Sequence, residues 1–344
     1  MLIGQYFKNV NPKFKNHFFS DLIFYSKICK KNSIFFAIRG TNQNGNKFIN
    51  DALKKGARTI VSDKKFQGFK KKVLYLRYQN VRKILAETAY KVFSKKPKNL
   101  TAVTSTNGKS SIANFYFQIL KQNKKKVVSI GTLGIQSSSK NIAVSNTTLD
   151  PIQLAFQLNK LKKQNIDHVI LEASSHGLKQ NRLDGLQFKT GIFTNLSHDH
   201  LDYHKNIQNY KKHKFRLFEE LVQDSGSVIV NIDDEIGLEL IERIKSRNLN
   251  IVTYGFSNKA QWRIKNVENI HNHKTIKVEV NGKNFLIPTA LNSNFQVYNA
   301  MAAAALAYSS GIPLEHSLLA IRNLLTPEGR MQEIFSDKGS GTLI

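Results

Sequence analysis

The sequence predicts an α/β protein: a small N-terminal α/β unit, then a central ATPase domain on a mostly parallel sheet with a P-loop-like nucleotide site. Three observations carry this. Short β-rich runs alternate with helix-length amphipathic stretches along the 344 residues, the pattern of strands joined by crossover helices. A polar, basic segment at 94–99, broken by Pro97, divides the chain. A turn at 104–111 joins a strand to a helix, the local arrangement that holds phosphate.

In the first region, 34–38 reads as a buried strand and 47–55 as a helix stopped by Gly56. Residues 58–62 and 73–76 read as strands and 81–93 as a helix. The second region opens with a strand at 100–104 and a helix from 110 to 122, with Ile112, Phe115, Tyr116, Ile119 and Leu120 at helical spacing. Strands follow at 127–130, 168–171, 191–193, 228–231 and 251–254, then helices at 294–309 and 314–325. The domains are therefore expected at 1–98, 99–327 and 328–344, the last too short to fold alone. No internal repeat is found.

The composition suits a globular protein: 41% apolar and 10% aromatic residues. The single cysteine, Cys29, excludes an internal disulfide and fits a reducing cytosol. No apolar run reaches signal-peptide or membrane-span length. A cytoplasmic monomer without membrane attachment is expected. Lys and Arg number 52 against 24 Asp and Glu, a formal net charge of +28. Such an excess suits a nucleic-acid binder, but the lysines occur in nearly every segment and no nucleic-acid module is present. The expectation is no nucleic-acid partner, with a basic surface that attracts anionic substrates.

The turn reads Thr-Ser-Thr-Asn-Gly-Lys-Ser-Ser over 104–111. Gly108 lets a backbone N–H approach a phosphate oxygen unobstructed. Lys109 reaches toward the β- and γ-phosphates, Ser110 offers a hydroxyl to Mg²⁺, and Ser111 caps or bonds nearby. Position 103 is Val rather than Gly, so the strict phosphate-loop pattern is not met. A serine-capped structural turn is the competing account.

Chemistry is densest at 168–204. Glu172 follows a buried strand and is suited to holding Mg²⁺ beside phosphates, because ligands gather at the carboxyl ends of parallel strands. A second strand ends in Thr194 and Asn195, followed by Ser197, His198, Asp199 and His200. A zinc hydrolase is the rival for these histidines, yet the phosphate loop makes a Mg-nucleotide site simpler. His168 and His204 read as surface residues.

Together these strings resemble the Mur ligase family, and within it the ligases that add the third amino acid of the peptidoglycan stem. The likeness runs through 104–111, Ser-Asn-Thr-Thr at 145–148, Glu-Ala-Ser-Ser-His-Gly-Leu-Lys-Gln-Asn-Arg-Leu-Asp-Gly at 172–185 and the segment 193–204. It continues at 209–218, at Phe-Gln-Val-Tyr-Asn-Ala over 295–300 and at Gly-Arg-Met over 329–331. The resemblance implies ATP and Mg²⁺ as cofactors. Ser105, Thr106, Asn107, Gly108, Lys109, Ser110, Ser111, Asn299 and Arg330 would bind the nucleotide. Phe24, Ser26, Thr41, Asn42 and Gln43 would contact the uridine. Asn146, Thr147, Thr148, Ser174, Gln180 and Arg182 would hold the rest of UDP-MurNAc-L-Ala-D-Glu. Metal ligands would be Ser110, Glu172, His200 and a carbamylated Lys214, and the catalytic set Lys109, Glu172, His200 and Lys214.

The implied reaction phosphorylates the substrate carboxylate, and the amino group of diaminopimelate or lysine then displaces phosphate. Departures from the family pattern are Ala102 and Ser105 in place of glycines, His198 in place of an arginine, and Tyr25 and Lys27 beside Ser26 in place of an aspartate and an arginine. The resemblance also implies a C-terminal Rossmann-like domain that is expected to be absent here. The alternatives are a related ligase acting on folate or another carboxylate, and a basic non-catalytic nucleotide- or nucleic-acid-binding protein.

Overall fold

The computed structural model describes residues 1–8, 10–40, 43–270, 273–291, 293–330, 333–336 and 339–342. Thr41 and Asn42, both expected at the uridine, lie outside the described residues. The chain forms two compact units. One comprises 1–95, 150–160 and 180–186; the other comprises 96–149, 161–179 and 187–344. A linear division at 98/99 does not capture this interleaving, and the described residues beyond 327 group with the second unit.

The first unit is built on a five-stranded sheet of order β1-β2-β3-β5-β4. Its strands are β1 (Leu22–Ile23), β2 (Ile34–Phe36), β3 (Thr59–Ser62), β4 (Gly68–Lys70) and β5 (Val73–Arg77). All pair in parallel except the edge strand β4. Burial of Ile34, Phe35, Phe36, Ile60, Val61 and Leu74 fills the core, as their apolar runs require. β1 and β4 are two and three residues long, too short to leave an alternation signal. Helices α1 (Ile3–Tyr6), α2 (Ile49–Lys54) and α3 (Val81–Val92) accompany the sheet. Asn80 starts α3 by accepting the Lys83 N–H at 3.0 Å.

The segment 180–186 joins this unit through α3. Asn80 Nδ2 donates to Asn181 Oδ1 at 3.2 Å, and Tyr90 Oη donates to the Arg182 carbonyl at 2.8 Å. Gly185 adopts φ +99°, and a Cβ there would stand 3.1 Å from Glu87 Cα. Only glycine satisfies both conditions without strain.

The second unit holds an eleven-stranded sheet of order β16-β15-β14-β13-β12-β11-β6-β10-β7-β8-β9. The strands are β6 (Asn99–Thr104), β7 (Val127–Gly131), β8 (Gly134–Gln136), β9 (Asn141–Ile142), β10 (His168–Glu172), β11 (Phe188–Phe193), β12 (Val222–Asn231) and β13 (Asn250–Gly255), then β14 (Trp262–Ile270), β15 (His273–Val280) and β16 (Lys283–Thr289). The centre from β7 to β13 is parallel, and both flanks are antiparallel hairpins. The helices are α4 (Lys109–Gln122), α5 (Pro151–Lys163, shared between the units), α6 (Ser175–Lys179), α7 (Leu201–His204), α8 (Ile207–Arg216), α9 (Glu235–Ile244), α10 (Asn294–Ser309) and α11 (Leu314–Leu319). Residues 300–307 of α10 are all buried. Its alanines give a thin helix surface, so α10 packs against α4 and brings Asn299 to the turn that opens α4. No described helix is long and apolar enough to cross a membrane.

Candidate active site

The site forms where β7, β10, β6 and β11 end side by side. Val103 of β6 pairs with Glu172 of β10, and Thr104 of β6 pairs with Phe193 of β11. The turn after β6 therefore lies between the polar segments that leave β10 and β11. Gly108 is the N-cap of α4 with φ +88°, and an added Cβ would stand 2.6 Å from Asn299 Oδ1. The turn thus requires glycine for its backbone and for its neighbour.

Ser105 is fully buried and donates through Oγ to the Asn107 carbonyl at 2.6 Å. This bond explains how a serine fits where the family pattern has glycine: the hydroxyl closes the turn. Asn195, two residues beyond β11, clamps the same turn. Its Oδ1 accepts the Asn107 N–H at 2.9 Å, and its Nδ2 donates to the Asn107 carbonyl at 3.1 Å. Thr106 Oγ1 accepts from Ser197 N at 3.0 Å and lies 3.2 Å from Tyr210 Oη.

Glu172 is 2% exposed. Its carboxylate accepts from Ser110 Oγ at 3.1 Å, from Thr132 N at 2.9 Å and from Thr132 Oγ1 at 3.1 Å. Gly131 supplies the space: a Cβ there would stand 2.1 Å from Glu172 Oε1. Arg330 Nη2 donates to Ser110 Oγ at 3.4 Å, which brings that expected nucleotide residue to the site. Thr132 was not foreseen from sequence; its only signal is its place in the turn after β7.

Two lysine amines meet one oxygen. Lys109 Nζ donates to the Ser105 and Thr106 carbonyls at 2.9 and 2.8 Å. Lys214 Nζ donates to the same Ser105 carbonyl at 2.6 Å and is 1% exposed. Burial, then the charge of Lys109, hold the Lys214 amine well below the usual lysine range, against a smaller opposing pull from Asp199. Lys109 is lowered as well, chiefly by burial.

The expected substrate residues fall in several places. In the second unit, Thr148 Oγ1 donates to the Glu172 carbonyl at 2.7 Å, accepts from Ser174 N at 2.9 Å and lies 3.0 Å from Ser174 Oγ. Thr147 Oγ1 lies 3.0 Å from Thr132 Oγ1, while Asn146 is exposed. Gln180 and Arg182 belong to the first unit, where Arg182 donates to Gln180 Oε1 from Nε and Nη2 at 3.2 and 2.9 Å. Also there, Ser26 is buried, Phe24 stacks obliquely on Tyr25 with ring centroids 4.5 Å apart, and Gln43 is exposed. Ser111 is buried in the first turn of α4.

His200 stands outside the bonds around Glu172. It is half-exposed, with φ +51°, and its ring faces His176 and Tyr210 at centroid distances of 4.9 and 6.4 Å. Among the described residues, no three His, Cys, Asp or Glu side chains cluster tightly enough for one metal ion. The converging donors are instead the oxygens of Glu172, Ser110 and Thr132, the donor type that Mg²⁺ prefers.

His204, expected at the surface, is buried, and neither ring nitrogen has a hydrogen-bond partner. Burial, then His213, Lys179, His176 and Lys214, push its pKa from 6.5 to about 3. Its folded pKa is depressed, so the neutral ring favours the fold above pH 6.5. Below that value the unfolded chain binds a proton that the fold refuses, and stability falls by up to about 1.4 kcal/mol per pH unit. His204→Phe should therefore flatten the loss of melting temperature between pH 6.5 and pH 4, as followed by circular dichroism. An unchanged slope would contradict this assignment.

A buried strand, a phosphate-cradling turn, a helix start and a carboxylate on the adjacent strand define a phosphate-loop nucleotide-binding domain. The Mur ligase middle domain matches residues 103–307. A protein of Bradyrhizobium diazoefficiens named UDP-N-acetylmuramoyl-L-alanyl-D-glutamate--2,6-diaminopimelate ligase is 34% identical over 318 residues, covering 92% of this chain and 65% of that protein. One of the same name from Rickettsia prowazekii is 34% identical over 334 residues, covering 95% and 68%. A solved structure with that name superposes with TM-score 0.84 at 26% identity, covering 96% of this chain and 68% of the other. The chain belongs to the Mur ligase family. It spans about two thirds of the length of the relatives it matches.

Proposed function

We propose that this chain takes part in ATP-dependent formation of the amide bond that adds diaminopimelate to UDP-MurNAc-L-Ala-D-Glu in cytoplasmic peptidoglycan synthesis. The observation that carries this reading is the union of the phosphate turn with Glu172 through Ser110, in a chain one third identical to ligases of that name. The nature of the incoming amine follows the names of those relatives.

The residues have distinct tasks. Gly108 and the following N–H groups of α4 cradle the phosphates. Lys109 exchanges the Ser105 and Thr106 carbonyls for the β- and γ-phosphate oxygens. The oxygens of Glu172 and Ser110 would hold Mg²⁺, and His200 and a carbamate on Lys214 would complete the set. When bound, Mg²⁺ neutralises charge on the transferring phosphoryl group. Asn299, against Gly108, and Arg330, against Ser110, fix the nucleotide. Thr148 and Ser174 hold the muramoyl peptide so that its terminal carboxylate is in line with the γ-phosphate. The carboxylate attacks, ADP leaves, and the amine then displaces phosphate from the acyl phosphate.

Calorimetric titration tests this. Mg-ATP and UDP-MurNAc-L-Ala-D-Glu should each bind with one site per chain, and Lys109→Ala should weaken ATP at least tenfold while sparing the UDP compound. Absence of binding to the UDP-muramoyl dipeptide would refute the substrate assignment.

A further inference from the structure

The first unit contains a cavity that the reaction scheme above leaves unused. It has a volume of about 220 Å³ and lies between the N-terminal segment, the end of β5 and α3. Its described lining residues include three cations, Lys8, Arg77 and Lys91, against one carboxylate, Glu87. Phe24, Ser26 and Gln43, expected at the uridine, do not line it, and the phosphate turn belongs to the other unit.

These charges are not committed elsewhere. Among the described residues, the side chains of Lys8 and Arg77 form no ion pair or hydrogen bond, and Glu87 forms no ion pair. Lys91 Nζ donates to the Tyr6 carbonyl at 2.8 Å. An ammonium has three N–H groups, so two remain for a ligand. Burial, then the charge of Lys8, lower the pKa of Lys91, against a smaller pull from Glu87. Lys8 and Lys91 are thus near enough to repel, and an anion between them removes that repulsion.

The frame around the cavity is tied on both sides. Tyr78, one residue beyond β5, donates through Oη to the Lys8 carbonyl at 3.4 Å and through its N–H to the Ser62 carbonyl at 2.9 Å. Lys91 ties Tyr6 to α3. The N-terminal segment is therefore held against β5 and α3 before any ligand arrives. The Tyr6 and Tyr78 rings add apolar faces to the wall. The volume is below the roughly 300–1,000 Å³ of pockets for drug-sized ligands, which suits a small molecule and not a whole UDP-muramoyl peptide.

We propose that this cavity binds a small phosphate monoester with free hydroxyl groups, of the sugar-phosphate class. Three cations and one carboxylate leave two positive charges, and a phosphate monoester carries about −1.5 to −2 at pH 7. Its oxygens accept from the Arg77 fork and from the Lys8 and Lys91 ammoniums. The ionised Glu87 is an acceptor only, so it selects a ligand that also brings a donor, here a sugar hydroxyl. The site does not depend on the function proposed above.

Equilibrium dialysis of the full chain with labelled ribose 5-phosphate, inorganic phosphate and ribose tests this. Ribose 5-phosphate should bind at one site with a Kd below about 1 mM, within the metabolite range. Inorganic phosphate should bind more weakly and ribose not at all. Saturating Mg-ATP should not displace the sugar phosphate. Lys8→Gln and Arg77→Gln, both at exposed positions, should each weaken it at least fivefold while Mg-ATP affinity stays at the wild-type value. Glu87→Gln should lower the ratio of ribose 5-phosphate to inorganic phosphate affinity at least threefold. The proposal fails if the wild type shows no saturable binding, if Mg-ATP displaces the ligand, or if Lys8→Gln and Arg77→Gln both stay within twofold of the wild type. An unchanged ratio in Glu87→Gln refutes the hydroxyl contact, and with it the sugar-phosphate class.

Discussion

Gly131→Ala should eliminate the Mg²⁺-dependent part of ATP affinity, leaving binding no tighter than in excess chelator. The backbone at Gly131 is not in the left-handed region, so alanine is conformationally acceptable there. The obstacle is contact. The new Cβ would stand 2.1 Å from Glu172 Oε1, 2.4 Å from its Cδ and 2.5 Å from its Cγ. The whole end of that side chain is in the way, not a mobile tip. Nor is it free to retreat, because Thr132 N, Thr132 Oγ1 and Ser110 Oγ hold the carboxylate within 2.9–3.1 Å. Overpacking of this kind costs about 1–3 kcal/mol, and expelling the carboxylate forfeits charge-assisted bonds worth about 1.5–3 kcal/mol. A modest drop in melting temperature should therefore accompany the loss of Mg²⁺ dependence. Calorimetric titration of Mg-ATP, with and without chelator, reads the effect. Wild-type Mg²⁺ dependence in the variant would show that Glu172 does not support the metal.

Much of this site could be read from the sequence, and the exceptions have physical causes. The helix at 294–309 matches its expected bounds because Ser293 caps it, accepting the Gln296 N–H at 3.2 Å, and because alanine is the best helix former. The phosphate turn was legible because strand, glycine and helix are contiguous. Strands β14 to β16 were not. A register shift between Ile264 and Asn266 breaks the period-two pattern, and lysines 265, 274, 277 and 283 dilute it further. The membership of 180–186 in the first unit was equally hidden, since it depends on the Asn80–Asn181 bond across 101 residues. Burial also escaped notice at His204, whose two unpaired ring nitrogens belong to a pocket of other basic side chains. Sequence spacing reports which face a residue takes on its own element, not what the next element brings to it.

Lys214 shows where such a distinction matters most for chemistry. On α8 it stands one turn after Tyr210, and both are buried on one face. Its amine shares the Ser105 carbonyl with Lys109, which also reaches the Thr106 carbonyl, so two amines crowd onto one oxygen. The fold favours the neutral amine, the form that adds carbon dioxide to become an anionic carbamate. For a base whose folded pKa is depressed, the unfolded chain holds a proton that the fold lacks. Stability then rises with pH through the window that ends near lysine's ordinary value of 10.5. At neutral pH the buried amine is therefore a burden on the fold.

Lys214→Met, apolar and of similar length, should unfold at a higher temperature than the wild type at pH 7, by about 1–4 kcal/mol in stability. That advantage should shrink as pH approaches 10.5. If Lys214 serves as the carbamylated metal ligand proposed above, the same variant should lose phosphoryl transfer at least a hundredfold. Depleting dissolved carbon dioxide and bicarbonate should slow the wild type and leave the residual rate of the variant unchanged. A variant less stable at every pH would make Lys214 a structural hydrogen-bond donor to Ser105. One with wild-type turnover would remove it from the catalytic set.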